Sequence, residues 1–86
     1  MKIFYTSKFE KAFKKLPKEI QLLAVKKEII FKNDIWDLQL RTHKLSWKLF
    51  WYYSFSIDYN YRILFEIQSN WDILFINIWD HDIYKN

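Results

Sequence analysis

The stretch that decides the fold runs from residue 47 to residue 67 and reads WKLFWYYSFSIDYNYRILFEI. Its odd positions are large and apolar from residue 47 to 57 and again from 61 to 67, whereas its even positions mix polar and apolar side chains. Alternation with a period of two predicts two β-strands, each with one buried face. Residues 58–60 (DYN) separate the two runs and predict a three-residue hairpin loop.

The length of this loop determines which residues face each other across the hairpin. A three-residue loop pairs Phe55 with Ile63, so that the two apolar faces coincide, and it places Arg62 opposite Ser56. A two-residue loop would instead put Arg62 on the buried face, which is unfavourable for a guanidinium that never deprotonates. The sequence therefore predicts that Arg62 lies on the face of the sheet away from the helices.

The residues before the hairpin predict one strand and a first helix. Residues 2–6 (KIFYT) are β-branched and aromatic, which suits an opening strand. Ser7 and Glu10 form an S-x-x-E capping-box pattern, which predicts a helix from about Ser7 to Leu16. Apolar residues follow at helical spacing: Phe9, Ala12, Phe13 and Leu16.

A second helix is predicted after Pro17, which cannot continue the first helix but suits the first turn of another. It ends near Lys32 and Asn33, and the two helices form a hairpin. Residues 34–46 make a longer connection that carries Arg41, His43 and Lys44. The apolar face of the second helix consists of Ile20, Leu23, Ala24, Ile30 and Phe31.

The last predicted strand spans residues 71–78 (WDILFINI) and is apolar on both sides, which is typical of a central strand. If it neighbours residues 61–67, the chain delivers His81 to the end of the sheet where Arg62 lies. The predicted fold is a single small α+β domain over residues 1–86, in the order β-α-α-β-β-β. Its helical hairpin packs on a mostly antiparallel sheet.

Composition excludes several classes of protein. Hydrophobic residues make up 51% of the 86 residues and aromatic residues 22%, which is too apolar for a disordered chain. The absence of cysteine excludes disulfides and thiolate metal sites, and the absence of glycine excludes glycine-rich phosphate loops. Without glycine, any left-handed turn position is expected to hold Asn or Asp. No apolar run has the length of a membrane span and no signal peptide is recognisable, so a cytoplasmic protein is expected.

The charge distribution is uneven along the chain. The net charge is +4, but residues 1–51 hold twelve Lys or Arg against five Asp or Glu, a balance of +7. Residues 52–86 hold two against five, a balance of −3. A basic front half indicates a polyanionic partner, although the lysines could equally serve only to solvate the helical pair.

The sequence resembles the RelE/ParE toxin superfamily over nearly its whole length. The likeness is carried by FEKAFKKLPK from Phe9 to Lys18, by THKL before the hairpin, by the strand YRILF and by the terminal HDIY. It is strongest to the ribosome-dependent, RNA-cleaving branch with YafQ-, YoeB- and HigB-like members. The resemblance implies a toxin of a type II toxin–antitoxin system, with the cognate antitoxin, mRNA and the ribosome as partners. It implies an endoribonuclease (mRNA interferase) that inhibits translation and uses no metal or other cofactor.

The resemblance also implies a set of site residues. Its catalytic members are His81 as general acid, Arg62 as the group that stabilises the phosphate, and His43 as a base or phosphate contact. These residue types suit cleavage by the RNA's own 2′-hydroxyl, because histidine titrates near neutrality and arginine can grip two phosphate oxygens. Residues expected to bind RNA are Lys44 and Lys48 through its backbone, and Tyr52 and Tyr84 by base stacking.

Other interpretations fit the same residues. His81 could be a turn residue paired with a neighbouring carboxylate, Arg62 could bridge to an acidic side chain, and His43 could simply be exposed. At the level of function, the alternatives are a ParE-like toxin that inhibits DNA gyrase without cutting RNA, and a basic module that binds an acidic protein.

Overall fold

A computed structural model describes residues 1–46 and 51–80 of the chain. One sheet of five strands is assembled in the order β1-β5-β4-β3-β2, in which β1 runs parallel to β5 and the other neighbours are antiparallel. This arrangement confirms the predicted α+β class with two helices and a mostly antiparallel sheet. The elements in chain order are β1 (Ile3–Tyr5), α1 (Ser7–Lys15), α2 (Lys18–Asn33), a 3-10 helix (Leu38–Leu40), β2 (His43–Lys44), β3 (Tyr52–Ser56), β4 (Tyr61–Ile67) and β5 (Ile73–Asp80).

Strand β2 is absent from the sequence prediction, which treated residues 34–46 as a connection. The two-residue strand pairs with β3 and places His43 opposite Ser54. A strand this short has no alternation that a sequence pattern could reveal. Its position nevertheless brings the connecting segment to the edge of the sheet.

The hairpin of β3 and β4 has the predicted register. Phe55 lies opposite Ile63, and Ser56 lies opposite Arg62. The loop between the strands is held by the Asp58 carboxylate, which accepts hydrogen bonds from two backbone amides at 2.8 and 2.9 Å. The strand predicted from residue 47 begins at residue 52 in the structure, and residues 47–50 lie outside the described residues.

The core lies between the helices and one face of the sheet, and its centre is Phe31 of α2. The ring of Phe31 is fully buried, with its centroid 4.8 Å from that of Phe55, 5.0 Å from that of Phe65 and 5.4 Å from that of Phe75. Aromatic pairs at these separations stabilise a core beyond the area that they bury. The apolar helix faces predicted from the sequence are confirmed, since the members of both line this core.

The N-cap of helix α1 lies one residue before the predicted capping residue. Its N-cap is Thr6, whose hydroxyl accepts a 3.0 Å hydrogen bond from the backbone N–H of Phe9, so the prediction of Ser7 as the cap is wrong. The same Thr6 hydroxyl donates to the carbonyl of Ile76 in β5 at 2.6 Å. This contact with the sheet fixes Thr6 at the end of β1, and Ser7 becomes the first residue inside the helix.

Strand β5 contains a β-bulge opposite the middle of β4. Phe65 pairs with Phe75, but the preceding residue of β4, Leu64, pairs with Asn77, so Ile76 is the extra residue. An extra residue reverses which side chains face the core beyond it. Beyond the bulge, Ile78 is therefore buried in the core, and its neighbours in β5 lie on the opposite face of the sheet.

Left-handed backbone occurs at two residues of the described chain, Arg41 with φ of 50° and Trp71 with φ of 69°. The expectation that Asn or Asp would occupy such positions is therefore wrong. For a residue with a Cβ this conformation costs about 1–2 kcal/mol, so the surrounding structure must hold it in place.

Candidate functional site

The candidate site lies on the open face of the sheet, the face opposite the helices, where β2, β3 and β4 are adjacent. Three side chains and one carbonyl meet there and are called the Arg62 cluster below. It consists of the side chains of Arg62, His43 and Ser54, and the backbone carbonyl of Arg41.

The chain reaches this site through the 3-10 helix. The Asp37 carboxylate caps that helix by accepting a 2.8 Å hydrogen bond from the amide of Gln39, and Leu40 at its end is fully buried. Arg41 follows in the left-handed conformation, with φ 50° and ψ 46°. The turn brings the chain into β2, so that His43 arrives beside Ser54.

The guanidinium of Arg62 contacts the other three members of the cluster and the backbone carbonyl of Ser54. Its Nε donates to the hydroxyl of Ser54 at 3.0 Å, and its Nη2 donates to the carbonyl of Arg41 at 2.7 Å. Nη2 also lies 3.3 Å from the Ser54 carbonyl and 3.3 Å from Nδ1 of His43. The prediction that Arg62 lies on the face away from the helices is confirmed.

The surroundings of His43 lower the pKa of its imidazole and so favour its neutral form. Partial burial lowers the pKa of His43 below its usual 6.5, and the positive charge of Arg62 lowers it further, although the carbonyl of Arg41 opposes both effects. Nδ1 lies 3.3 Å from that carbonyl and 3.3 Å from Nη2 of Arg62. When Nδ1 carries the proton it donates to Arg41, and Nε2 is then the nitrogen that can accept a proton.

The bulge in β5 adds an aromatic side chain to the same face. Trp79 lies directly opposite Arg62 in the sheet, and without the extra residue Ile76 it would face the core. Tyr52 also shares this face, since it is two residues from Ser54 along β3, a distance of about 7 Å. An aromatic side chain thus lies on each side of the cluster.

The structure brings some of the predicted site residues together and separates others. Arg62 and His43 are in contact, and Tyr52 lies nearby on the same face. Lys44 pairs with Tyr53, so strand alternation directs its exposed side chain to the other face at the sheet edge. The remaining candidates, Lys48, His81 and Tyr84, lie outside the described residues. The final described residue, Asp80, lies opposite Tyr61, the neighbour of Arg62 in β4.

Sequence reasoning missed three parts of this site: the Arg41 carbonyl, the Ser54 hydroxyl and Trp79. Ser54 could have been found, because it is polar and shares the strand parity of Ser56, the predicted partner of Arg62. The Arg41 carbonyl depends on a left-handed residue and Trp79 on a β-bulge, and no sequence pattern predicts either feature.

The described residues, 1–46 and 51–80, contain no group of three or more His, Cys, Asp or Glu arranged to hold a metal ion. Within the same ranges no helix is both long and apolar enough to cross a bilayer. At the cluster, the cation of Arg62 lies beside an imidazole whose pKa is lowered. Such a pair can bind an anionic group and accept a proton from it.

Comparison with known proteins identifies the fold. The sequence matches no protein-family model and no curated protein sequence. Among solved structures, a YoeB/ParE toxin from Agrobacterium tumefaciens superimposes with a TM-score of 0.79 at 14% identity, covering 94% of this chain and 99% of that one. YafQ from E. coli gives a TM-score of 0.78 at 14% identity, with 98% and 97% covered. A chain of a RelB–RelE antitoxin–toxin complex from Methanococcus jannaschii gives a TM-score of 0.76 at 21% identity, with 96% and 95% covered.

In each of these comparisons at least 94% of both chains is superimposed. The class is a small α+β domain in which two helices cover one face of a five-stranded sheet, and no helix within residues 1–46 and 51–80 packs on the other face. More narrowly, the chain shares its fold with these YoeB/ParE, YafQ and RelB–RelE structures, and this is the fold that the sequence resemblance implied.

Proposed function

We propose that this protein is the toxin of a type II toxin–antitoxin system and acts as a metal-independent endoribonuclease on mRNA at the ribosome. The observation that carries the proposal is the contact between the guanidinium of Arg62 and the imidazole of His43 on the open face of the sheet. The fold shared with YoeB, YafQ and RelE toxins supports it. Translating ribosomes are the site of action, so the proposed location is the cytoplasm.

The proposed reaction is attack of the RNA 2′-oxygen on the adjacent phosphorus, with breakage of the bond from phosphorus to the 5′-oxygen. His43 accepts the 2′-proton, Arg62 stabilises the negative charge that develops on the phosphate oxygens, and His81 donates a proton to the departing 5′-oxygen. The products are a 2′,3′-cyclic phosphate and a 5′-hydroxyl. The lowered pKa of His43 supports its role, because a neutral imidazole is ready to accept a proton at neutral pH.

The remaining candidates bind the RNA in this proposal. Tyr52 stacks on a base beside the cleaved phosphate, and Tyr84 stacks on a second base. Lys44 and Lys48 contact the RNA backbone, with Lys44 acting from the edge of the sheet. The basic front half of the chain supports attraction to a polyanion.

The proposed protein partner is an antitoxin. Structures that share this fold include antitoxin–toxin complexes from Methanococcus jannaschii and Pyrococcus horikoshii. A segment that folds on binding could cover the open sheet and the basic helices of this chain.

Single-turnover cleavage of mRNA on ribosomes tests the proposal. Arg62→Ala and His81→Ala should each slow cleavage by about 100-fold or more. Lys11→Ala removes one positive charge from the exposed face of α1 and should leave the rate within about twofold, since surface substitutions have small effects. A 2′-O-methyl group at the cleaved nucleotide should block the reaction, and the products should carry cyclic phosphate ends.

Two results would contradict the proposal, the first its reaction and the second the nuclease activity itself. One is cleavage that persists on the 2′-O-methylated RNA, since the RNA's own hydroxyl would then not be the nucleophile. The other is a parent protein that cuts no mRNA. Inhibition of DNA gyrase by that inactive protein would identify the alternative type of toxin.

A further inference from the structure

We propose that Ser54 is a positioning residue that orients the guanidinium of Arg62 for its role at the phosphate. Ser54 is fully buried, and among the described residues no other polar side chain is buried. Its hydroxyl accepts the 3.0 Å hydrogen bond from Nε of Arg62. This inference rests on the proposed ribonuclease function and extends it to a residue that does not touch the RNA.

The burial of Ser54 needs an explanation. A hydroxyl is costly to bury unless it is hydrogen-bonded, and alanine would fill nearly the same space without that cost. The two residues directly opposite Ser54 differ from it: His43 lies at the sheet edge and is only partly buried, and Leu64 is apolar and buried. The hydrogen bond to Arg62 gives the serine a reason to be there.

The geometry of the bonds supports an orienting role. Ser54 holds Nε while the Arg41 carbonyl holds Nη2 at 2.7 Å, so two points of one rigid plane are fixed. Both acceptors are neutral, and these two bonds therefore hold the guanidinium without neutralising its charge. Pre-organised charge of this kind contributes to catalysis because it needs no rearrangement during the reaction.

Ser56 provides a matched control on the same strand. It lies directly opposite Arg62 in the hairpin and shares the face of Ser54. Its hydroxyl, however, donates to the carbonyl of Asp58 at 2.7 Å. Ser54→Ala and Ser56→Ala thus each remove one hydroxyl next to Arg62, but only the first removes a hydrogen bond from the guanidinium.

The first test is single-turnover cleavage of mRNA on ribosomes. The rate is measured over a range of concentrations, so that the maximal rate and the concentration at half-saturation are obtained separately. Ser54→Ala should lower the maximal rate between about 10-fold and 100-fold and change half-saturation less than about twofold. Ser56→Ala should leave both values within about twofold. In an Arg62→Lys background, which lacks Nε–H but keeps the charge, Ser54→Ala should have no further effect. An equal loss in both backgrounds, or no loss in either, would overturn the proposal.

A second test does not depend on activity. The Nε–H of Arg62 should give a resolved NMR signal that exchanges slowly with water in the parent and in Ser56→Ala, and quickly in Ser54→Ala. Fast exchange in the parent would overturn the inference even if Ser54→Ala failed to fold. A parent that cleaves no RNA would reject the proposed function, whereas this comparison would still decide whether Ser54 orients Arg62.

Discussion

The backbone carbonyl of Arg41 accepts a 2.7 Å hydrogen bond from Nη2 of Arg62, so one arginine positions another 21 residues away. The carbonyl points to this place because Arg41 has left-handed backbone angles. Residues held in such conformations are concentrated at functional sites, where the surrounding structure over-determines them. The strained turn and the site are therefore parts of the same arrangement.

Substitutions at Arg41 should separate the role of its backbone from that of its side chain. Arg41→Gly should keep the carbonyl in place and change the free energy of unfolding by no more than about 1 kcal/mol, because relief of strain and loss of chain entropy offset each other. Arg41→Val should destabilise the fold by about 1–3 kcal/mol, since a β-branched residue resists positive φ. Urea denaturation measures both. Equal stability of the two variants would contradict a strained backbone at this position.

The pKa of His43 predicts a specific dependence of stability on pH. In the folded protein the pKa of His43 is lowered below 6.5, mainly by burial and also by the charge of Arg62. The imidazole of His43 therefore binds a proton more readily in the unfolded chain. The contribution of His43 to stability is complete above about pH 6.5 and is lost as the pH falls from there through the pKa of the folded state. In His43→Gln the free energy of unfolding should therefore fall less than in the parent as the pH is lowered through this range.

An NMR titration of His43 checks the cause of this shift. Arg62→Gln should raise the pKa of His43 towards 6.5 without restoring it fully, because burial is the larger of the two causes. Lys11→Ala removes a positive charge elsewhere on the chain and serves as the control. An unchanged His43 pKa in Arg62→Gln would show that the two side chains are not coupled in solution.

The centre of the core predicts the most destabilising substitution. Phe31 is fully buried among three other phenylalanine rings, and Phe31→Ala should cost about 3–5 kcal/mol through lost burial and a cavity. Small domains have total stabilities of about 5–15 kcal/mol, so the melting temperature should fall sharply. Leu38→Ala is the matched control, because Leu38 is 92% exposed and should be replaceable at almost no cost. Similar losses in both variants would show that the core is elsewhere.

The hairpin illustrates what the sequence could predict. Alternation within two strands and a loop of three residues were enough to place Arg62 opposite Ser56 and on the open face. That inference succeeds because any other register would bury a charge or expose several aromatic rings. The predicted family resemblance is likewise confirmed at the level of fold.

The rest of the site was not predictable, for physical reasons that differ from residue to residue. The bulge at Ile76 lies in a strand that is apolar on both sides, so the shift in register changes no visible pattern. Arginine has no preference for left-handed backbone. Contacts of the folded protein hold Arg41 in this conformation, among them the hydrogen bond from Arg62 to its carbonyl. Both features arise from tertiary contacts between segments that are distant in sequence.

Thr6 offers a test of the helix start, where the sequence indicated Ser7. The Thr6 hydroxyl accepts from the amide of Phe9 and donates to the carbonyl of Ile76, so it joins the start of α1 to the bulge of β5. Thr6→Val keeps the shape but removes both bonds, and it should lower the free energy of unfolding by about 1–3 kcal/mol. Thr6→Ser retains the hydroxyl and should lose less than about 0.5 kcal/mol, because a serine caps a helix at least as well.

Ser7→Ala completes the comparison in the same denaturation experiment. In the structure Ser7 is the first helical residue and is exposed, so its replacement by a good helix former should be neutral or slightly stabilising. If Ser7→Ala instead cost as much as Thr6→Val, the cap would lie at Ser7. The helix would then begin one residue later, and the hydrogen bond from the amide of Phe9 to Thr6 would not be its cap.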